Sequence, residues 1–215
     1  MVLTNGHCLG GRDFLKPGEV RTDIPSSRHF ELLSTGARIR GLLQAERIIV
    51  ATMTKTDITL YSLTTTYGEI EKKYGAQALT ISPVHPVAKT PIAVVSGYFK
   101  TIYSCQIDTF IYTLREADWE MKDSMRYTTP GCETIHGTSG SPVINEATNE
   151  IVGINNTGND DGEKCTMDNP CEIDERGNVT VILHADYAQE TFWLYSCLNN
   201  QRQFDLNVPS CILRP

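Results

Sequence analysis

Short apolar segments rich in Val, Ile, Thr and Tyr recur along the chain, with turn-forming residues between them. This pattern is typical of β-strands, and the spacing of the segments suits barrels or a sandwich. The pattern predicts strands at residues 38–43, 47–53, 58–63, 77–81, 92–98, 103–113, 142–145, 150–155 and 179–184. The sequence therefore predicts an all-β protein.

A helix is predicted near the C-terminus, where apolar residues recur at close to helical spacing. These positions are Tyr187, Phe192, Leu194, Tyr195 and Leu198, within residues 187–199. The alternative for this stretch is another strand.

The domain organisation follows from a cluster of Gly, Pro and charged residues between positions 68 and 91. We expect a linker at residues 76–91 to separate a first domain, 1–75, from a second, 92–215.

Composition narrows the choice of partners. The chain has 215 residues, 40% of them hydrophobic, and a formal net charge of −7. Lys and Arg form no basic stripe, so no nucleic-acid partner is expected, and the apolar runs are too short to cross a membrane. His and Cys show no zinc-ligand spacing, and His29, His85 and His184 are interpreted as ordinary loop or strand residues. We expect a monomer without cofactor or metal.

The cysteines indicate an oxidising compartment. Six of the seven pair as sequence neighbours, which predicts the disulfides Cys105–Cys132, Cys165–Cys171 and Cys197–Cys211. Cys8 is left without a partner in this chain, and the alternative to a missing partner cysteine is a buried free thiol. Residues following Met1 have neither a basic nor a long apolar region, so a secreted protein whose leader is missing from this chain is expected.

Residues 137–143, Gly-Thr-Ser-Gly-Ser-Pro-Val, carry the clearest chemical signal. Ser139 is the candidate nucleophile. Because Gly137 has wide backbone freedom, the amides of Gly137 and Ser139 can point at one spot and form an oxyanion hole. An ordinary Gly/Ser turn is the alternative.

A serine nucleophile needs a base and an acid that orients the base. His7 follows a short apolar strand and is the candidate base, and Asp57 enters a second apolar segment and is the candidate acid. Three other acids are rivals for this role. Two lie in a Gly/Pro/Ser-rich loop and the third in an alternating strand: Asp13, Asp23 and Asp108.

The order His7, Asp57, Ser139, with Gly-His-Cys around the first and Gly-x-Ser-Gly-Ser-Pro around the last, resembles the chymotrypsin-like serine peptidases. The closer resemblance is to secreted bacterial members of glutamyl-endopeptidase-like and actinobacterial trypsin-like type. It implies two six-stranded antiparallel β-barrels, the first N-terminally incomplete, and a C-terminal helix. It also implies a serine endopeptidase that forms an acyl-enzyme, and an edge at residues 156–158 that pairs with substrate backbone.

Thr138 departs from the animal enzymes, which carry an aspartate there, so activation by an ion pair with a freed N-terminus is not expected.

Specificity stays open at the level of sequence. Thr134, His136, Asn155 and Asn156 suit a small polar or acidic substrate side chain, with Thr157 and Gly158 continuing the substrate-binding edge. Glu133 would instead favour Lys or Arg.

Two other functions were considered. Ser139, Asp160 and His184 occur in the order used by α/β-hydrolase esterases, although Ser141 replaces the glycine that such a serine turn requires. A catalytically impaired binding module of the same shell is the non-enzymatic alternative. The acidic turn around Asp160 lacks the spaced acids of a calcium-binding EF-hand loop.

Overall fold

The computed structural model describes residues 1–9 and 15–213, and within them the chain forms two antiparallel sheets. The first sheet contains five strands in the order β1-β5-β4-β2, with β3 paired to β4. Its strands are β1 (Val2–Thr4), β2 (Val20–Pro25), β3 (His29–Leu33), β4 (Ile39–Thr52) and β5 (Ile58–Leu63).

The second sheet contains eight strands, six of which close into a barrel because β7 pairs with both β6 and β8. Around the barrel the order is β7-β6-β9-β10-β13-β8, and β11 and β12 extend it beyond β7. The strands are β6 (Pro91–Ser96), β7 (Thr101–Glu116), β8 (Trp119–Tyr127), β9 (Pro142–Asn145), β10 (Glu150–Gly158), β11 (Cys171–Ile173), β12 (Val179–Thr180) and β13 (Asp186–Glu190).

The all-β fold class with two barrel-like sheets is therefore confirmed, and the first sheet is incomplete as a barrel, as expected. There the five strands form an open arrangement, since no pairing between β1 and β2 closes it within residues 1–9 and 15–213.

Alternation of buried and exposed side chains explains the second barrel. In β6, Ile92, Val94 and Ser96 point inward while the intervening residues are more exposed. Ile92 and Val94 pack with Val143 and Met125 in one core cluster. Burial of apolar surface on one side of each strand stabilises the closed sheet.

One α-helix, α1 (Tyr67–Tyr74), occupies a segment for which the sequence analysis predicted none. A capping box begins it, since Thr66 and Glu69 bond to each other's backbone amides, and Gly75 ends it with a left-handed φ of 62°. The Thr-x-x-Glu pattern was the available signal.

The C-terminal helix prediction is only partly right. Residues Asp186–Glu190 are a strand, and a short 3₁₀ helix follows at Phe192–Cys197. Tyr187 and Gln189 are almost fully buried within β13. The alternative prediction of a strand is therefore correct for the first half of this stretch.

Several strand predictions also need correction. Segments 38–43 and 47–53 are one continuous strand, β4, whereas residues 77–81 form only an isolated bridge at Ile81. Of residues 179–184 only Val179–Thr180 are strand. Two further strands, β2 and β3, were not predicted.

The structure joins Cys105 to Cys132, Cys165 to Cys171 and Cys197 to Cys211 as disulfides. Cys8 is a partly buried free thiol. In the described part of the chain no helix is long and apolar enough to span a membrane.

The core assignment makes a stability prediction. Ile92 is fully buried and Ile102, in the same barrel, is 63% exposed. Ile92→Ala should lower the free energy of unfolding by about 2–5 kcal/mol through lost burial and a new cavity. Ile102→Ala should change it by less than about 0.5 kcal/mol. Urea denaturation of both variants measures the difference, and equal effects would contradict the assignment.

Candidate active site

The pairing of β1 with β5 brings His7 and Asp57 together. Thr4 on β1 lies opposite Thr59 on β5, so the residues just after β1 meet the residue just before β5. The backbone N–H of His7 donates to Asp57 Oδ1 at 3.0 Å, and His7 Nδ1 contacts Asp57 Oδ2 at 2.6 Å. Asp57 is only 2% exposed. The carboxylate thus holds both the backbone and the ring of His7.

Gly6 is required by this close approach. A Cβ at this position would lie 2.1 Å from the Thr52 carbonyl oxygen and 2.8 Å from Asp57 Oδ1. A larger residue would have to push apart β4 and the turn that carries His7.

The two rival acids in the described part of the chain pair with arginines and not with His7. Asp23 lies on β2 and pairs with Arg47 at 2.5 Å, so its assignment to a loop was wrong. Asp108 lies on β7, as expected, and pairs with Arg126. Asp13 lies outside the described residues. Of the described acids considered, Asp57 alone orients the imidazole.

Burial lowers the pKa of His7, but the charge of Asp57 and the hydrogen bond to it have the larger combined effect. The pKa of His7 therefore lies above its ordinary value. An imidazole in this position accepts a proton readily, as a general base must.

Ser139 comes from the second sheet and lines the same cavity as His7 and Asp57. Its hydroxyl donates to the Asn156 carbonyl at 2.9 Å in this conformation, and the described residues show no hydrogen bond between it and His7. The Cys8 thiol lies 4.0 Å from the Ser139 carbonyl oxygen, so the His7 turn packs directly against the serine turn.

Two amides of the serine turn have no partner within the described fold. The amides of Thr138, Gly140 and Ser141 donate within the fold. Those of Gly137 and Ser139 have no acceptor in the part of the chain that is described. Gly137 has a φ of 91°, a left-handed conformation in which glycine is favoured. These are the donors needed for an oxyanion hole.

A chain of neutral hydrogen bonds supports the turn from below. Tyr127 donates to Asn155, Asn155 donates to the Thr138 hydroxyl, and Thr138 donates to the Ile135 carbonyl, at 3.0, 3.0 and 2.6 Å. Thr138 is 1% exposed. A buried chain of hydrogen bonds thus stabilises Thr138, the position at which the resemblance to animal chymotrypsin-like enzymes would place an aspartate in an ion pair.

The cavity has a volume of about 340 Å³ and is rich in carboxylates. Its described lining contains His7 and His136 but no Lys or Arg. The acids that line it are Asp57, Glu116, Asp160, Asp168 and Asp186. Such a cavity concentrates negative potential and favours cationic groups.

Asp186 is a further cavity residue that was not among the predicted site residues. It lies at the start of β13, opposite Gly158. Its Oδ2 accepts a hydrogen bond from the Thr134 amide at 3.1 Å. Burial, together with the charges of Asp160 and Glu133, raises the pKa of Asp186 to about 7 despite that hydrogen bond. The alternating positions of Tyr187 and Gln189 are a signal for a strand that includes Asp186. This signal was missed because the stretch was interpreted as a helix.

The remaining predicted site residues are divided between cavity and surface. Thr134, His136 and the four residues Asn155, Asn156, Thr157 and Gly158 line the cavity, whereas Glu133 is exposed and is not part of the lining. The side chain of His136 is 67% exposed and contacts Asp160 at 2.5 Å, which places it at the rim. The esterase order Ser139, Asp160, His184 is not assembled, because Asp160 pairs with His136 and His184 is exposed.

The sheets, the oriented histidine and the serine turn together define a peptidase of the two-barrel serine class. Residues 1–154 match the family described as the trypsin-like peptidase domain. Because this match covers most of the chain, the chain belongs to that family, and it is a serine-type peptidase acting on peptide or protein substrates. This confirms the resemblance inferred from the motifs around His7 and Ser139.

Three solved structures illustrate the similarity. A chymotrypsin of Cellulomonas bogoriensis shares 11% identity over 87% of this chain and 76% of its own, with a TM-score of 0.45. The Nocardiopsis protease NAPase shares 15% over 87% and 77%, with a TM-score of 0.46. The active form of an M. tuberculosis protease shares 11% over 88% of this chain, with a TM-score of 0.48, and this chain spans 63% of that protein. Curated protein sequences gave no match.

The tight packing at Gly6 predicts that a side chain there misplaces His7. Gly6→Ala should displace His7 and lower kcat/KM about 100-fold, since a 1 Å misplacement of a catalytic group has roughly that effect. Gly68→Ala is the control, because a Cβ there meets nothing within 4 Å. Steady-state hydrolysis of a peptide substrate by both variants tests this, and an unchanged rate in Gly6→Ala would refute the packing argument.

Proposed function

We propose that this protein is an endopeptidase in which His7, Asp57 and Ser139 form a catalytic triad and the reaction passes through an acyl-enzyme. The observation that carries the proposal is the two-point contact between Asp57 and His7 in the cavity that also contains Ser139. A buried carboxylate that fixes the ring through Nδ1 leaves Nε2 available as the base.

In the proposed reaction, Ser139 Oγ attacks the scissile carbonyl carbon while its proton passes to His7 Nε2. Rotation of the Ser139 side chain from the Asn156 carbonyl toward His7 prepares this step. The amides of Gly137 and Ser139 donate to the oxyanion of the tetrahedral intermediate. His7 then protonates the leaving amine, which breaks the C–N bond and leaves the acyl-enzyme. Water, deprotonated by His7, hydrolyses the ester and restores Ser139.

The substrate backbone is proposed to pair with β10 at Asn156, Thr157 and Gly158. The pairing of β9 with β10 ends at Ile154, and β10 continues four residues further along the cavity. In the described structure that side of residues 157 and 158 has no strand partner. An extended peptide would add a strand there.

We further propose that the enzyme cleaves after Lys or Arg. The cavity lining supports this choice over an acidic substrate residue, because it combines carboxylates with no Lys or Arg in its described part. Asp186 is the best placed acid to pair with a substrate cation, since it lies beside Gly158 at the proposed backbone edge. Glu133 lies outside this lining, so Asp186 takes the role that the sequence assigned to Glu133.

Extracellular action is part of the proposal. The three disulfides support it, because such bonds persist in oxidising compartments.

The domain organisation is also a proposal. Along the chain, the strands of the first sheet all precede residues 76–91 and those of the second sheet all follow them, which supports domains at 1–75 and 92–215 joined by that linker.

The triad predicts covalent labelling of Ser139 by a fluorophosphonate probe. Labelling should be abolished in Ser139→Ala and His7→Ala, and Asp57→Asn should lower kcat/KM about 10⁴-fold because the ring loses its tautomer. Asp23→Asn is the matched control, since Asp23 pairs with Arg47 and does not line the cavity. Mass spectrometry of the labelled peptide identifies the site. A folded protein that hydrolyses no peptide and takes no label would favour the binding module.

The specificity proposal predicts a pH-dependent preference between peptides that differ only in Arg or citrulline before the cut. Asp186, with its pKa of about 7, becomes charged as pH rises, so the Arg/citrulline ratio of kcat/KM should increase from about pH 6 to about pH 8. The ratio cancels the titration of His7.

Asp186→Asn should reduce this ratio about 10- to 100-fold, as expected for losing a hydrogen bond to a charged group, and should remove its pH dependence. Asp161→Asn, which removes a charge outside the cavity lining, should leave the ratio unchanged. A ratio insensitive to Asp186→Asn would refute Asp186 as the specificity residue.

A further inference from the structure

A second cluster of polar side chains lies outside the catalytic cavity and has no part in the proposed reaction. It consists of His85, from the segment between α1 and β6, Asp123 on β8 and Glu190 at the end of β13. One potential ligand atom from each residue lies within 4.8 Å of the others. None of the three lines the catalytic cavity.

Glu190 is the anomalous member of the cluster. Its side chain is only 2% exposed, and within the described residues neither carboxylate oxygen accepts a hydrogen bond of good geometry. Its polar neighbours are His85, whose Nε2 lies 3.2 Å from Oε1, and the Asp123 carboxyl group. Buried carboxylates are normally hydrogen-bonded, paired or coordinated to a metal, because desolvation of the unpaired charge is costly. The carboxylate points toward His85 and shares a cavity lining with Asp123.

His85 is oriented in the manner of a metal ligand. Its Nδ1 lies 2.5 Å from the Pro86 carbonyl oxygen, which can only accept a hydrogen bond, so Nδ1 carries the proton. When Nε2 carries no proton, its lone pair faces the carboxylates of Asp123 and Glu190. Metal-bound histidines commonly donate their second N–H to a carbonyl in this way. Phe110 and Phe192 pack against the ring, with centroids 4.4 and 5.2 Å away, and hold it in place.

The two separations from His85 to the carboxylates fit a small tetrahedral ion. His85 Nε2 lies 3.2 Å from Glu190 Oε1 and 3.3 Å from Asp123 Oδ2. Ligands at about 2.0 Å from a tetrahedral centre are separated by about 3.3 Å. Asp123 and Glu190 also line a cavity of about 570 Å³, which provides room for water as a fourth ligand.

We propose that His85, Asp123 and Glu190 bind a divalent transition-metal ion, with Zn²⁺ as the ion that best suits one imidazole and two carboxylates. Two lysines line the neighbouring cavity, but their ammonium groups bond elsewhere: Lys122 to Thr113 at 2.6 Å and Lys55 to the Ile212 carbonyl at 3.2 Å. The ion would tie the segment before β6 to β8 and β13. It would therefore act structurally on the second barrel. The sequence analysis interpreted His85 as an ordinary residue because its proposed partners are distant in sequence.

The test is Zn²⁺ binding to the chelator-treated full chain, measured by calorimetry, with the visible absorption of bound Co²⁺ as a report on the ligands. The wild-type protein should bind one Zn²⁺ per chain with a Kd that His85→Gln and Glu190→Gln each weaken more than about 100-fold. Even loss of an outer-shell partner weakens metal binding about 10- to 100-fold. Zn²⁺ should raise the Tm of the wild-type protein and not that of Glu190→Gln.

Two controls make the result decisive. His29→Gln replaces an exposed histidine on β3 and should bind Zn²⁺ like the wild type. His136→Gln removes the histidine at the rim of the catalytic cavity, where other carboxylates lie. Binding lost in His136→Gln and retained in Glu190→Gln would assign the ion to the cavity and overturn the proposal. Absence of binding would overturn it too and would indicate a protonated His85 between two carboxylates. Neither result depends on peptidase activity.

Discussion

The two-point contact between Asp57 and His7 is the interaction on which the rest of the site depends. A carboxylate that is 2% exposed is stable as an anion only if donors replace the water it has lost, and here the backbone and ring of His7 supply them. Several local features follow from this requirement. β1 pairs with β5 in the register that brings the donors to the acid, and Gly6 allows the turn to pass against β4.

The two sheets contribute differently to the site. The first supplies the His7–Asp57 pair, and the closed second barrel supplies the serine turn on a scaffold of neutral hydrogen bonds through Tyr127, Asn155 and Thr138. Because this scaffold contains no ion pair, the shape of the turn does not depend on a freed N-terminal amine. The carboxylates that line the cavity do not hold the serine turn in place, so they are available to contact a substrate.

Local patterns in the sequence predict much of this arrangement. The strand at 142–145 and the fold class follow from β-branched, alternating segments, and the motifs around His7 and Ser139 follow from the chemistry of acyl transfer. β8 escaped notice because Lys122 and Asp123 interrupt its apolar positions. α1 has a polar sequence, so only its capping box could have revealed it. Asp186 and Glu190 became informative only through contacts between distant segments, which no local pattern encodes.

The C-terminal segment has a consequence for how the molecule is made. Trp193, Leu194 and Leu213 belong to the same core cluster as Val50 and Ile58 of the first sheet, and the Cys197–Cys211 disulfide lies within that cluster. The N-terminal strands therefore remain without part of their apolar packing until residues 193–213 have left the ribosome. Synthesis and oxidation of the tail then complete the core that contains Ile58, the residue next to Asp57.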